Sequence, residues 1–255
     1  METSKNKIAL VTGGSRGLGK DMALRIAERG NDVIITYHSN KDAAEAVISE
    51  IESRGQKAIA LQLAVEDSAS FENFKNDVTD ALKKQFDRTS FDYLVNNAGI
   101  GMHAPIAETT SAQFDQLFNI HLKGPYFLTQ SLLPLIADNG GIINVSTGLA
   151  RFALPGYSAY ASMKGGIEVF TTYLAKELGS RGINANVIAP GAIATDFGGG
   201  VVRDNEQVNN FISSNTALGR VGQATDIGGV VAFLCSDDAN WVNAQRIEVS
   251  GGQSI

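Results

Sequence analysis

The feature that most constrains the fold of this chain is an alternation of short apolar runs with longer segments of helical periodicity. Seven runs rich in Val, Ile and Leu have the length of strands buried on both faces, at residues 8–11, 33–37, 58–63, 92–95, 142–145, 183–188 and 246–249. Apolar residues at helical spacing predict helices at about 22–30, 43–55, 71–82, 111–136, 158–180 and 225–234, the fourth of which Pro125 can kink. The sequence therefore predicts an α/β fold, a Rossmann-type doubly wound parallel seven-stranded sheet in a three-layer sandwich.

The alternation continues through the chain without a linker or an internal repeat, so a single domain over residues 1–255 is expected. One stretch interrupts it, Gly198-Gly199-Gly200 and the polar residues that follow to about Asn215. Ligands of open α/β sheets bind beyond the carboxyl ends of the strands, so residues 196–216 are predicted to form a mobile substrate lid. A surface loop with a short helix is the alternative.

Charge and hydropathy exclude two classes of partner. The chain carries 21 basic and 27 acidic residues, a net charge of -6. A general binder of the phosphate backbone needs the opposite balance, so no nucleic-acid partner is expected. No apolar run approaches the length of a transmembrane helix, and the apolar run that follows residues 1–7 is too short for a signal-peptide core. A cytoplasmic protein without a membrane partner is therefore expected.

Cysteine and histidine usage argues against redox and metal sites. The single cysteine, Cys235, lies in an apolar run and is expected to be a buried, inert thiol. His38, His103 and His121 do not have metal-ligand spacing, so no metal site is predicted.

A glycine-rich turn joins the first predicted strand to the first predicted helix. Its sequence is Thr12-Gly13-Gly14-Ser15-Arg16-Gly17-Leu18-Gly19, a G-x-x-x-G-x-G variant of the Rossmann fingerprint. Glycines let the backbone turn tightly and approach a pyrophosphate, whose charge then lies at the helix N-terminus. The turn therefore predicts a dinucleotide site, with a merely flexible turn as the alternative. The predicted contacts are Gly13, Ser15, Arg16, Gly17, Leu18 and Gly19.

The second predicted strand indicates which dinucleotide binds. A ribose 2′-hydroxyl is usually met by an acidic residue at the end of this strand, whereas a 2′-phosphate needs a basic group. The strand has no acid at its tip, Asp32 lies at its other end, and the guanidinium of Arg16 can reach a 2′-phosphate. NADP is therefore favoured over NAD, although an Arg16 that points to solvent leaves the preference open. The strand tip adds His38, Ser39 and Asn40 to the predicted cofactor residues.

Tyr160 and Lys164 lie four residues apart in a predicted helix and so share one face of it. A free tyrosine has a pKa of about 10, and a neighbouring ammonium favours the tyrosinate and lowers that pKa. The pair predicts a general acid, but the spacing alone is weak support because similar pairs decorate exposed helices. Tyr173 and Lys176 form such a decoy nearby.

Taken together, these segments resemble the short-chain dehydrogenase/reductase family, and within it the β-ketoacyl-ACP-reductase-like branch. The resemblance covers nearly the whole chain, and its pieces follow the order of the family. The matching segments are residues 12–19, 96–99, 119, 145–147, 160–164, 190–195, 219–222 and 250–252.

The resemblance implies a carbonyl reductase that uses NADPH to reduce a ketone, an aldehyde or a 3-oxoacyl thioester reversibly. Tyr160 would protonate the carbonyl oxygen, Lys164 would hold the nicotinamide ribose and lower the pKa of the tyrosine, and Asn119 would support a proton relay through water. The family also implies a homotetramer in which the two longest helices pack against partner subunits. Further implied cofactor contacts are Val65, Asn97, Ala98, Gly99, Pro190, Gly191, Ile193 and Thr195.

Two positions depart from the family pattern. Thr147 stands where the family has a serine that hydrogen-bonds the substrate carbonyl. Threonine keeps the hydroxyl donor, but its methyl group restricts the side chain. Ser146 is a poor substitute because adjacent strand residues face opposite ways. Ala64 stands where the family usually has an aspartate that contacts adenine, which leaves backbone groups at Ala64 and Val65 for that contact.

The residues between Thr147 and Tyr160 are expected to shape the substrate wall, namely Arg151, Phe152, Leu154 and Tyr157. Trp241 is expected in the core or in a subunit interface. Two other functions stay open at this point. One is an NAD-dependent alcohol dehydrogenase of the same family. The other is a catalytically silent dinucleotide-binding sensor or assembly subunit, for which Thr147 is the one supporting feature.

Overall fold

Seven parallel strands form one sheet in the computed structural model, which describes residues 6–255. The strand order is β3-β2-β1-β4-β5-β6-β7, so the chain starts in the centre, builds one half and then crosses to the other. The predicted doubly wound fold is confirmed. The strands are β1 (Ile8–Val11), β2 (Asp32–Tyr37), β3 (Ala58–Gln62), β4 (Phe91–Asn96), β5 (Ile136–Val145), β6 (Asn184–Pro190) and β7 (Arg246–Val249).

Helices cover both faces of the sheet because successive strand residues point to opposite sides. Ala9 and Val11 of β1 pack in one apolar core with α1, α2 and α9, whereas Ile8 and Leu10 pack in a second core with α3, α5 and α6. The helices are α1 (Gly17–Glu28), α2 (Lys41–Glu52), α3 (Phe71–Ala81), α4 (Ser111–Phe118), α5 (Gly124–Leu132), α6 (Ser158–Glu177), α7 (Val201–Asp204), α8 (Glu206–Ser214) and α9 (Gly228–Leu234).

The single helix predicted over 111–136 is wrong in two respects. It is broken between α4 and α5 by a π-helical turn, Asn119–Lys123, in which the N–H of Gly124 donates to the carbonyl of Asn119. Pro125 has no N–H to return to the preceding turn, which accounts for the wider turn before it. Pro134 then lies in a short 3₁₀ segment, and Ile136 is already the first residue of β5.

The segment predicted as a lid contains more helix than its sequence suggests. After β6, a 3₁₀ turn at Phe197–Gly200 leads into the short helices α7 and α8. Gly198, Gly199 and Gly200 have φ angles of 62°, 77° and 79°, a left-handed conformation that favours glycine. Three such residues in succession explain the glycine run. The mobility of this segment stays a prediction.

Two single residues test the expectations about burial. Cys235 is fully buried, and burial raises the pKa of its thiol, as expected of an inert cysteine. Trp241 is 99% exposed, so it does not lie in the core, and its alternative place in a subunit interface stays a prediction. No helix within residues 6–255 combines the length and apolar character needed to cross a membrane.

Candidate active site

The glycine turn lies where the strand order reverses, in the crevice between the carboxyl ends of β1 and β4. Gly13 has a φ of 66°, and a side chain there would lie 3.0 Å from the Cα of Ala98. A methyl group on Gly19 would collide with the carbonyl oxygen of Gly13, so only glycine lets α1 pack this closely on the turn. The turn is therefore fixed by the space around its backbone.

The end of β4 holds the glycine turn in place. The side-chain amide of Asn97 donates to the carbonyl of Thr12 over 2.8 Å. The backbone N–H groups of Asn97 and Ala98 donate to the hydroxyl of Thr12 over 2.9 and 3.0 Å. Asn97 was expected to line the cofactor, and the structure shows its amide bonded to the turn on which a cofactor would rest.

The residues after β6 reach the same edge of the sheet. Pro190 is buried at the end of the strand, and the N–H of Gly191 donates to the carbonyl of Val249. Ile193 pairs with Gly222 in a short bridge. Thr195 lies opposite the glycine turn, 3.8 Å from where a methyl group on Gly17 would be. The structure thus brings both predicted halves of the nucleotide groove together.

A carboxylate that the sequence analysis missed lies close to the tip of β2. Glu66, from the loop after β3, places a carboxylate oxygen 3.4 Å from Nε2 of His38. The side chain of Asn40 accepts the N–H of Ala43 and so caps α2. Arg16 is exposed, and its side chain forms no hydrogen bond or ion pair with the rest of residues 6–255. Because the side chain of Arg16 points to solvent, these side chains alone leave the choice between NADP and NAD open.

Tyr160 and Lys164 are both buried on one face of α6, as their spacing predicts. The Tyr160 hydroxyl shares a hydrogen bond with the side chain of Thr147. The Lys164 ammonium donates to the carbonyl of Val145 over 2.7 Å and lies 5.8 Å from the centroid of the Tyr160 ring. Two titratable side chains and a hydroxyl therefore meet at the carboxyl end of β5.

The sequence analysis predicted that Lys164 lowers the pKa of Tyr160, and among the described residues this prediction is wrong. Burial raises the pKa of Tyr160, and the hydrogen bond to Thr147 only partly offsets it. Burial also lowers the pKa of Lys164 to about 8. Desolvation disfavours the charged form of each group, and it is the largest cause of both shifts. Tyr160 is therefore held in its protonated form.

His121 is a neighbour of Tyr160 that the sequence analysis did not select. Its imidazole packs edge-on against the Tyr160 ring, with the ring centroids 5.0 Å apart, and it is almost completely buried. Asn119 lies two residues earlier, at the start of the π-helical turn. Asn119 makes no side-chain hydrogen bond within residues 6–255. Its place in a proton relay stays a prediction.

Comparisons with known proteins identify the family. The family model for enoyl-(acyl carrier protein) reductase matches residues 13–254. The 3-oxoacyl-[acyl-carrier-protein] reductase FabG of Staphylococcus aureus is 37% identical over 248 residues, which cover 96% of this chain and 97% of that protein. The chain belongs to the short-chain dehydrogenase/reductase family. It is thus an oxidoreductase, and the predicted family is confirmed.

Solved structures of other short-chain dehydrogenases/reductases have the same architecture. The promiscuous reductase LugOII, which catalyses keto-reduction at C1 during lugdunomycin biosynthesis, superposes with a TM-score of 0.93 at 34% identity and covers 99% of this chain and 100% of its own. The angucycline C-6 ketoreductase LanV, crystallised with bound NADP, has a TM-score of 0.92 at 34% identity, with coverages of 97% and 95%.

Behind Thr147 of this short-chain dehydrogenase/reductase lies a network of charged side chains. Arg246 of β7 donates to the carbonyl of Thr147 over 3.0 Å and pairs with Glu168 and Glu248 over 2.8 Å each. The hydroxyl of Ser146 donates to Glu168 over 2.7 Å. Ser146 thus bonds into this network, whereas the hydroxyl of Thr147 meets Tyr160.

The expected substrate wall is only partly where the sequence suggested. Arg151 forms a two-bonded ion pair with Glu248 and donates to backbone carbonyls of Gln253 and Ser254, so its guanidinium belongs to the charged network. Phe197, from the segment after β6, lies 6.1 Å from the Tyr160 ring and is 46% exposed. It is an apolar neighbour of Tyr160 that the sequence analysis did not name.

Proposed function

We propose that this protein is an NADPH-dependent carbonyl reductase that converts a ketone, an aldehyde or a 3-oxoacyl thioester to an alcohol, reversibly, with Tyr160 as the general acid. The observation that carries the proposal is the meeting of a buried, protonated Tyr160 with Thr147 and Lys164 at the sheet edge that also bears the glycine turn. The ketoreductase activities of LugOII and LanV support it.

The nucleotide groove fits NADP. No side chain caps the N-terminus of α1, and its first turn has no acidic residue, so free N–H groups face the place where a pyrophosphate would bind. The unpaired guanidinium of Arg16 would hold a 2′-phosphate, and the NADP bound to LanV favours this assignment. The cofactor supplies a hydride to the carbonyl carbon.

The proton that the product gains comes from a residue of the chain. The Thr147 hydroxyl holds the carbonyl oxygen beside the phenol, and the O–H bond of Tyr160 breaks as the O–H bond of the alcohol forms. Solvent then returns a proton to the phenolate. The phenol of Tyr160 is protonated at neutral pH, as a general acid must be when the substrate arrives.

Residues 196–216 form the substrate lid in this proposal. Phe197 already rests near Tyr160, and the three left-handed glycines beside it provide a place for the segment to bend. The partly exposed side chains of Phe197 and Leu154 give the opening an apolar wall, which suits a carbonyl compound with a hydrophobic body.

We propose a homotetramer as the assembled form. Apolar side chains on the outer faces of α5 and α6 are unusually exposed, with Tyr126 and Phe127 on the former and Val169 and Tyr173 on the latter. Such a patch on a single chain marks an interface. Light scattering after size-exclusion chromatography should give four times the mass of the chain.

The proposal is tested by NADPH consumption on a panel of 3-oxoacyl thioesters, ketoesters, cyclic ketones and sugars, repeated with NADH. We expect turnover with NADPH on apolar ketones or thioesters and much weaker turnover with NADH. Preference for NADH in the oxidative direction would instead support the alcohol dehydrogenase. NADPH binding without turnover on any substrate would support the non-catalytic sensor. An enoyl thioester in the panel checks for double-bond reduction.

A further inference from the structure

One nitrogen of the buried His121 imidazole has a hydrogen-bond partner and the other has none. Nε2 lies 2.8 Å from the carbonyl oxygen of Ile100 and 3.3 Å from its N–H. Nδ1 is buried without a hydrogen-bond partner among residues 6–255. A buried polar atom left without a hydrogen-bond partner is destabilising. Such an atom beside Tyr160 needs a functional explanation.

The contacts of Nε2 determine whether Nδ1 carries a proton. The shorter distance, to the carbonyl, requires Nε2 to carry the proton, because a carbonyl only accepts. Nδ1 of a neutral imidazole then has a free lone pair. Burial and the charge of Lys164 lower the pKa of His121 well below its ordinary value, so the ring stays neutral.

The imidazole is also fixed in position. Its edge meets the Tyr160 ring at an interplanar angle of 90°. A side chain on Gly99 would lie 2.7 Å from Cε1 of His121, so the glycine leaves just enough room for the ring. The titratable groups that the structure brings to His121 are Tyr160 and Lys164, both on α6.

We propose that His121 is a positioning residue of this reductase, which steadies the Tyr160 phenol with its ring and uses the lone pair of Nδ1 to hold the group that returns a proton to Tyr160. This inference rests on the function proposed above. The group it holds is a water molecule beside the Lys164 ammonium. Lys164 uses one N–H on the Val145 carbonyl, which leaves two others to donate.

The proton balance of this step is simple. After the alcohol has taken the phenolic proton, the phenolate oxygen accepts a proton from the donor that Nδ1 orients, and solvent replaces the proton of that donor. Nδ1 accepts a hydrogen bond throughout and is never protonated. His121 thus acts on the rate through Tyr160 and does not touch the substrate.

Three substitutions separate the roles of the ring and the two nitrogens. His121→Phe keeps a flat ring against Tyr160 and removes both nitrogens. His121→Asn has a polar atom bonded to Cγ, as Nδ1 is, and can still accept a hydrogen bond there. His121→Gln has its polar atoms one bond further out, near Nε2, and can replace only the contact with Ile100.

We expect His121→Phe to lower kcat about 10- to 100-fold, with the KM for NADPH within about threefold of the parent. His121→Asn should recover most of the lost rate, whereas His121→Gln should not. The solvent deuterium isotope effect on kcat should increase in His121→Phe and return towards the parent value in His121→Asn. A purely structural role would move thermal stability and KM and leave the isotope effect unchanged.

A measurement without turnover keeps the test independent of the substrate. In protein labelled with ¹⁵N-histidine and bound to NADP, Nδ1 of His121 should be unprotonated, and Lys164→Met should shift its resonance. A protonated Nδ1, a resonance insensitive to Lys164→Met, a parent-like kcat in His121→Phe, or equal losses in the Asn and Gln variants would each overturn the inference. Absence of turnover in the parent protein would overturn the proposed function, while the resonance still tests His121.

Discussion

The glycine turn after β1 and the face of α6 that bears Tyr160 and Lys164 lie at the same edge of the sheet but are built on different physical principles. At the turn, close backbone packing decides the residue, as at Gly19, where any side chain would collide with the carbonyl of Gly13. On α6, burial decides the behaviour of Tyr160 and Lys164, whose pKa values shift in opposite directions. A change at the turn should therefore affect binding of the cofactor, and a change on α6 should affect the chemical step.

The largest expected effect is that of Tyr160→Phe. Only the hydroxyl is removed, so kcat should fall about a thousandfold or more, while the Kd for NADPH stays within about twofold. Steady-state kinetics and a fluorescence titration with NADPH measure the two quantities. Tyr93→Phe, which removes only a hydroxyl bonded to Lys7 away from this site, is the matched control and should keep the parent rate. Substantial activity in Tyr160→Phe would remove it as the acid.

Gly19→Ala should produce the complementary result. A methyl group here would push α1 away from the turn. If this distortion weakens binding by about 1–3 kcal/mol, the Kd for NADPH should rise about 5- to 150-fold. At saturating NADPH the value of kcat should remain close to that of the parent. Gly229→Ala is the control, because no atom lies within 4 Å of the added methyl group. A loss of kcat without a change in Kd would contradict the distinction between the two regions.

The free energy of unfolding of Lys164→Met tests whether burial of the Lys164 ammonium destabilises the protein. Burial lowers the pKa of Lys164 from 10.5 to about 8. The unfolded chain then binds more protons between these pH values, so stability of the parent should rise with pH across this window. The variant should lack that rise and be more stable at pH 7 by about 3 kcal/mol. Denaturant titrations at pH 7 and pH 10 measure both effects, and parallel pH profiles would refute the assignment.

Arg16→Ala should have the smallest effect and the most selective one. Loss of the proposed contact with the 2′-phosphate should raise the KM for NADPH about tenfold and leave the KM for NADH unchanged. Arg29→Ala, which removes a cation near the other end of α1, serves as the control. An equal effect on both cofactors would show that Arg16 does not recognise the 2′-phosphate.

The sequence predicted best what local pattern determines. All seven strands, the glycine turn and the shared face of Tyr160 and Lys164 follow from residue spacing, and all are present. The helix over 111–136 was mispredicted because apolar periodicity continues through Pro125, although the hydrogen-bond ladder cannot. The local sequence pattern therefore identified strands and helices better than the points at which a helix is interrupted.

What the sequence did not predict depends on residues that meet only in the folded chain. Glu66 reaches His38 from the loop after the neighbouring strand β3, so no sequence pattern around β2 reveals this contact. His121 has no motif of its own, and its importance comes from Tyr160 and Ile100, each distant in sequence. The pKa of Tyr160 likewise depends on its burial, which spacing alone does not report.

The charged network behind Thr147 makes the last strand part of the working site. Arg246 holds the carbonyl of Thr147, and Arg151 is held by backbone carbonyls of Gln253 and Ser254. We therefore expect a fusion or a truncation at the C-terminal end to disturb Thr147, whose hydroxyl is proposed to face the substrate. Affinity tags for kinetic work belong at the opposite end of the polypeptide.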